Sequence, residues 1–298
     1  MLVFQNKSKM TENDVGNARI ARQLTNSPQD VHIRKELGKI LSTEWSQQAM
    51  SSLRGELSGF FLYALDHQSE PDLVHSRYEG LLPKLAEISK ASISEGEDHL
   101  KEMSGEDGII VVTNHLGLGI LTIIDNSQNQ FPIPLKEFAG SPVRLAALQL
   151  ISKELKAPLY EAAVELPEPL LSIQNATNTV TVSVEGQGRT QKLTSDVEGL
   201  IDKQPGAVVI MYPEGGTSGK RNMGTPYDLD EFHSGAFVVA ARLKLPVLPV
   251  CQYLDPNEGL KLYILPPLYP TTSDLESIDR ITQDTKSLMQ QKLDSLQH

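Results

Sequence analysis

The sequence predicts an α/β fold: a mostly parallel sheet flanked by helices and preceded by an all-helical N-terminal region. Three observations lead there. Apolar residues recur at helical spacing through much of the first hundred residues. From about residue 104, short runs rich in β-branched residues begin, the mark of strands buried on both faces. Helical stretches separate several of these runs, and strands alternating with helices imply a parallel sheet covered on both sides. The expected organisation is a helical region over 1–103 and an α/β domain over 104–298.

The elements follow in order. Residues 1–29 are polar and weakly patterned. From Val31 to Leu65 the apolar positions Ile33, Leu37, Ile40 and Leu41, then Leu53, Leu57, Phe60, Phe61 and Ala64, keep helical spacing, with Asp30 expected as a cap. A second helical stretch runs from about Asp72 to Met103, with Tyr78, Leu82, Leu85 and Ile88 on one face. Pro83 is expected to begin a new helix there, because proline suits a first turn. No strand is expected in the first hundred residues. Strands are then predicted at Ile109–Val112, Leu159–Val164, Thr179–Val184, Ala207–Met211, Pro246–Gln252 and Leu260–Leu265. Helices are predicted at Val143–Leu155, Thr194–Lys203 and Phe232–Leu243. The tail reads as a final helix, with a capping box of Ser273 and Glu276 and a stripe of Leu275, Ile278, Ile281, Leu288 and Leu293.

Composition narrows the function. The chain has 298 residues, 39% hydrophobic and 22% charged, enough to bury a large core without a disulfide or metal staple. Its one cysteine, Cys251, allows no internal disulfide and fits a reducing compartment. A net charge of −11 argues against nucleic-acid binding and against strong adsorption to an anionic membrane. The opening "MLVFQNKSKMTEND" lacks the apolar core of a secretory signal, and no apolar run is long enough to span a bilayer. The expectation is a soluble, cytoplasmic protein with at most peripheral membrane contact.

Several chemistries are set aside. In "GGTSGKR" the glycines 215 and 219 enclose three residues rather than four, and Arg221 stands where a P-loop needs a hydroxyl. In "EGQGRTQ", Gln191 replaces the third glycine of a dinucleotide fingerprint. The seven histidines show no metal-ligand spacing, and no G-x-S-x-G elbow is present. No cofactor and no metal is therefore expected.

Three segments remain. "VVTNH" delivers Asn114 and His115 to the carboxyl end of a buried strand, the edge at which open parallel sheets bind ligands. Histidine suits general-base work near neutrality; the plain alternative is an imidazole bonded to a backbone carbonyl. "VVIMYPEGGTSGKR" is a second buried strand ending in Pro213-Glu214-Gly215. Glu214 is a candidate to orient a substrate hydroxyl. Gly215, Gly216 and Thr217 are candidates for close approach to a ligand, and Lys220 and Arg221 for pairing with a phosphate. The plain alternative is a polar loop with solvated cations. "EFHSGAFVVAARLKLPVLPV" supplies His233 and Gly235 at the start of an α–β unit.

Taken in order, these segments resemble the glycerophospholipid acyltransferase family. That family carries Asn-His with an aspartate five residues on, then Phe-Pro-Glu-Gly-Thr-Arg, Phe-Lys-x-Gly-Ala-Phe and Val-Pro-x-x-Pro-Val. Here Asn114-His115, Tyr212-Pro213-Glu214-Gly215 with Thr217, Phe232 with Gly235-Ala236-Phe237, and Pro246 with Pro249-Val250 fit that series. The resemblance covers about residues 100–270. The helical first hundred residues are similar to the helical domain of the soluble plastid glycerol-3-phosphate acyltransferases.

The resemblance implies acyl transfer from a thioester, on coenzyme A or acyl carrier protein, to a small alcohol or glycerol phosphate. His115 would deprotonate the hydroxyl, with a carboxylate orienting the imidazole. Position 120, where the family aspartate belongs, is Ile120. Asp125 is the first acid after His115 and is the candidate replacement, although on a helix it lies about two turns too far along. Glu137 and Glu185 are further candidates. His233 stands where the family has lysine, and the arginine is displaced to Arg221. Two functional readings follow: a divergent acyltransferase, or an acyltransferase-fold protein that binds acyl chains or a partner without chemistry. An unrelated α/β enzyme is the third.

Overall fold

The computed structural model describes residues 28–40, 42–116, 141–164, 170–182, 188–216, 218–271 and 274–297. It opens on three helices, α1 (Pro28–Ile40), α2 (Glu44–Asp66) and α3 (Pro71–Ile88). A strand β1 (Ser92–Glu95) and a short α4 (Glu97–Glu102) lead into β2 (Gly108–Thr113). Next come α5 (Ser141–Leu155), β3 (Leu159–Val164), α6 (Leu170–Asn175), β4 (Thr179–Val182), α7 (Arg189–Lys203) and β5 (Ala207–Met211). Then α8 (Gly235–Leu243), β6 (Val247–Asp255), β7 (Gly259–Ile264) and α9 (Leu275–Leu296) complete the chain.

Among the described residues the strands form one seven-stranded sheet in the order β1-β7-β6-β2-β5-β3-β4. Every pairing is parallel except β6 with β7. The predicted α/β class, with a mostly parallel sheet and flanking helices, is what the chain adopts. β2 lies between β5 and β6, with Val111 opposite both Ile210 and Leu248. All six residues of β2 and all five of β5 are buried. Successive strand residues point to opposite faces, and the two cores follow that alternation. Ile109, Val111, Val208 and Ile210 pack with α2, α3 and α5. Ile110, Val112, Val209 and Met211 pack with α7, α8 and Ile278 of α9.

Leu53, Leu57 and Phe60 of α2 and Val74, Tyr78 and Leu85 of α3 join the first of these cores. The N-terminal helices thus cover one face of the sheet, and residues on both sides of position 103 share one apolar cluster.

Five local expectations are corrected. β1 is a strand inside the first hundred residues; Ser-Ile-Ser-Glu is too short and polar to stand out, and it forms by pairing with distant β7. Pro83 does not start a helix but lies inside α3. It is exposed, so water can serve the Glu79 carbonyl that loses its partner. Asp30 falls within the first turn of α1, which opens at Pro28, a favoured first-turn residue. In α9 the cap is Asp274, which accepts the Ser277 N–H at 3.0 Å; Ser273 lies outside the described residues. The buried stripe of α9 is Ile278, Thr282, Thr285, Met289 and Leu293, while Leu275 and Leu288 are exposed. The two threonines tolerate burial because their hydroxyls donate to the carbonyls of Ile278 and Ile281.

Cys251 is buried, and burial pushes its thiol up to about 12. Among the described residues no helix is long and apolar enough to cross a membrane.

Candidate active site

The two central parallel strands end side by side. β2 stops at Thr113, and Asn114 follows with no exposed surface. Its amide donates to the Gln252 carbonyl at 3.0 Å and accepts the Gln252 N–H at 2.7 Å. The side chain imitates a strand backbone and carries the β2–β6 ladder one residue further. Asparagine suits this because its amide has both a donor and an acceptor. The Gln252 side-chain amide donates in turn to Thr113 Oγ1 at 3.0 Å and to the Asn114 carbonyl at 3.2 Å.

His115 emerges next, half-buried, its ring edge-on to Tyr212 with centroids 4.7 Å apart and planes at 63°. Its main chain is clipped to the loop after β5. The His115 N–H donates to Ser218 Oγ at 2.9 Å, and the Ser218 N–H donates to the His115 carbonyl at 3.1 Å.

Glu214 is the hub of that loop. It is 1% exposed. Its Oε1 accepts the Ser218 hydroxyl at 2.5 Å, and its Oε2 accepts the Asp230 N–H at 2.7 Å. Burial pushes its carboxyl up to about 7, against the lowering effect of the Ser218 hydroxyl and of the Asp230 and His115 main-chain N–H groups. The sequence casts Glu214 as a group turned toward an acceptor. In this geometry both its oxygens are engaged inside the loop.

The next residues fold over it. Gly215 has φ +62, a left-handed conformation that glycine adopts without strain, and its N–H donates to the Tyr212 carbonyl at 3.0 Å. An added Cβ there would lie 3.3 Å from the His233 ring and 3.7 Å from the Arg221 guanidinium. Arg221 and His233 are exposed and meet at 3.4 Å between Nη1 and Nε2. Because a guanidinium can only donate, His233 Nε2 is the acceptor in this contact. Asp230, 4% exposed, spends its carboxylate on the main-chain N–H groups of Arg221 and Asn222, at 2.9 and 3.0 Å. The His233 N–H donates to the Pro213 carbonyl at 2.8 Å.

The structure thus gathers Asn114, His115, Glu214, Gly215, Arg221 and His233 at one sheet edge. Lys220 occupies the turn between Gly219 and Arg221, half-buried. Gly216 and Gly235 face open space. Asp125, Thr217, Glu137 and Glu185 lie outside the described residues. Among the described residues no cluster of three or more His, Cys, Asp or Glu side chains is arranged to hold a metal ion.

Ser218, Asp230 and Gln252 are the residues that sequence reasoning missed. A lone amide within "VLPVCQYL" marks Gln252 as unusual. Nothing local distinguishes Ser218 or Asp230, whose partners come from other strands and turns. The loop they stabilise is also held by two helices outside it. His32 of α1 donates from Nε2 to the Gly224 carbonyl at 3.0 Å, and Gln290 of α9 bonds the Leu229 N–H and the Tyr227 carbonyl.

The chain matches no protein-family model and no curated protein.

Proposed function

We propose that the protein transfers a fatty acyl group from a coenzyme A or acyl-carrier-protein thioester to an alcohol, as a divergent relative of the glycerophospholipid acyltransferases. The observation that carries this reading is the contact between His115 and the Glu214 loop at the carboxyl ends of adjacent parallel strands. His115 takes the proton of the acceptor hydroxyl as its oxygen bonds to the thioester carbonyl carbon. The C–S bond then breaks, and the imidazolium returns the proton to the departing thiolate. Arg221 and His233 are exposed beside Gly215 and suit the phosphate of a glycerol phosphate acceptor. The reaction would take place in the cytoplasm, with at most peripheral contact with a membrane and no nucleic-acid partner.

A second reading has one specific observation behind it. Ile120 stands where the family aspartate belongs. This favours an acyl-binding protein without chemistry. Thiol release from long-chain acyl-CoA and acyl carrier protein, measured with a panel of alcohols including glycerol 3-phosphate, separates the two. Transfer predicts release that His115→Ala lowers by about 10²–10⁴-fold, the usual contribution of a general base. Acyl binding without release, equal in both proteins, supports the second reading and ends the first.

A further inference from the structure

We propose that Ser218 is the positioning residue for His115, carrying the ionisation state of Glu214 into the peptide unit that holds the imidazole. The proposal rests on His115 being the working group of the acyl-transfer reading.

Six polar side chains lie buried together at this sheet edge: Thr113, Asn114, Glu214, Ser218, Asp230 and Gln252, each 4% exposed or less. Buried polar groups persist when they are hydrogen-bonded, and these form one chain. Gln252 Nε2 donates to the Asn114 carbonyl. The same peptide unit donates through the His115 N–H to Ser218 Oγ. Ser218 donates its hydroxyl proton to Glu214 Oε1, and the opposite oxygen takes the Asp230 N–H. The peptide between residues 114 and 115 is thus polarised from both ends, and such linked bonds strengthen one another.

Within this chain the main-chain protons are fixed, while the Ser218 hydroxyl rotates. With Glu214 ionised, that proton points at Oε1 and the lone pairs of Oγ serve the His115 N–H. The 2.5 Å separation lies in the range of hydroxyl-to-carboxylate bonds. When Glu214 takes up a proton from water, its own O–H can occupy the line to Ser218. Oγ then accepts from two donors, its own proton turns away, and the bond to His115 weakens. Burial carries the Glu214 carboxyl to about 7, so both states are populated near neutrality.

The surroundings set the rest of its electrostatics. Asp230 raises the Glu214 carboxyl further, and its carboxylate is held by main-chain N–H groups of the same loop. Arg221 and His233 lie over Gly215, and β2 and β6 contribute the neutral Asn114 and Gln252. A purely structural brace has no need of this chemistry. The Ser218 N–H already ties the loop to the His115 carbonyl, and a glutamine at 214 could fill the same bonds without a buried charge.

The test is NMR of the selectively ¹⁵N-labelled full chain, titrated from about pH 5.5 to 8.5. It is run in a His115→Gln background so that the imidazole's own titration is absent. The amide of residue 115 is expected to shift with an inflection near 7. Ser218→Ala reduces the inflection to what the carboxylate imposes directly on the residue-115 N–H, Ser218→Thr restores it, and Glu214→Gln abolishes it. A flat amide in the folded background protein overturns the proposal, as does an inflection undiminished by Ser218→Ala or one that survives Glu214→Gln. Should Ser218→Ala fail to fold, Ser218→Cys, whose thiol is a weak donor and acceptor, is expected to shrink the inflection in the same way, and an undiminished one overturns the proposal. No substrate is used. A normal titration without thiol release therefore sinks acyl transfer alone, and thiol release with a flat amide sinks the Ser218 role alone.

Discussion

Replacing Glu214 by glutamine should alter how stability depends on pH. In the folded chain the carboxyl is carried from an ordinary 4.5 to about 7, chiefly by burial. The folded state therefore holds its proton more tightly than the unfolded chain. The contribution of this group is complete below about pH 4.5, declines as pH rises and is lost above about 7. At about 1.4 kcal/mol per pH unit, the interval from 4.5 to about 7 amounts to roughly 3 kcal/mol. About 2–3 kcal/mol of this falls between pH 5 and pH 8. Glutamine can accept the Asp230 N–H with its carbonyl oxygen and donate its amide to Ser218 Oγ, so the loop keeps its bonds and loses only its titration. Urea unfolding of both proteins across that range measures the difference directly. The advantage of wild type over Glu214→Gln should shrink, or reverse, by about 2–3 kcal/mol on going from pH 5 to pH 8. At a slope of about 3 kcal/mol/M for a chain of this size, that is a relative midpoint shift of nearly 1 M. Parallel stability curves, or an advantage that grows with pH, would refute the reasoning, because the buried carboxylate would then not be what the proton binds.

Four further outcomes follow from the same geometry. Asn114→Ala leaves the Gln252 N–H and carbonyl without their partners at a buried strand end, and should cost about 2–4 kcal/mol in denaturant unfolding. Gly219→Ala should lower the melting temperature by several degrees, because φ is +71 and the new Cβ would fall 1.8 Å from the Thr225 carbonyl oxygen. Gly216→Ala, which faces open space, should stay within about 0.5 kcal/mol of wild type. Asp274→Ala should destabilise by about 1 kcal/mol in thermal or urea unfolding, as loss of a helix cap does.

Most of the fold was legible because burial on both faces leaves a plain mark. β3 and β5 fall on the predicted boundaries of Leu159–Val164 and Ala207–Met211. β5 carries the mark in full, a short run with three β-branched residues and every position buried, whereas β3 has one β-branched residue and is half-buried along most of its length. What was illegible depended on partners far away in sequence. β1 is two serines, an isoleucine and a glutamate, and becomes a strand only beside β7, some 170 residues on. The buried stripe of α9 includes two threonines that no hydropathy pattern selects, since each satisfies its hydroxyl within its own helix.

The site divides along the same line. A histidine and a glutamate at the ends of two buried strands could be placed at one sheet edge from sequence, because parallel strands present their carboxyl ends together. Which atoms meet could not. Sequence reasoning looks for an acid that reaches the imidazole, and Ile120 stands at the position where that acid belongs. The folded chain brings Glu214 to His115 from the neighbouring strand, through Ser218, and the contact falls on the main chain. A carboxylate that grips the peptide fixes where the ring begins, whereas one that grips a ring nitrogen fixes which nitrogen carries the proton. Those are separate tasks, and the sequence can be searched only for the second, because main-chain donors carry no residue-specific signature.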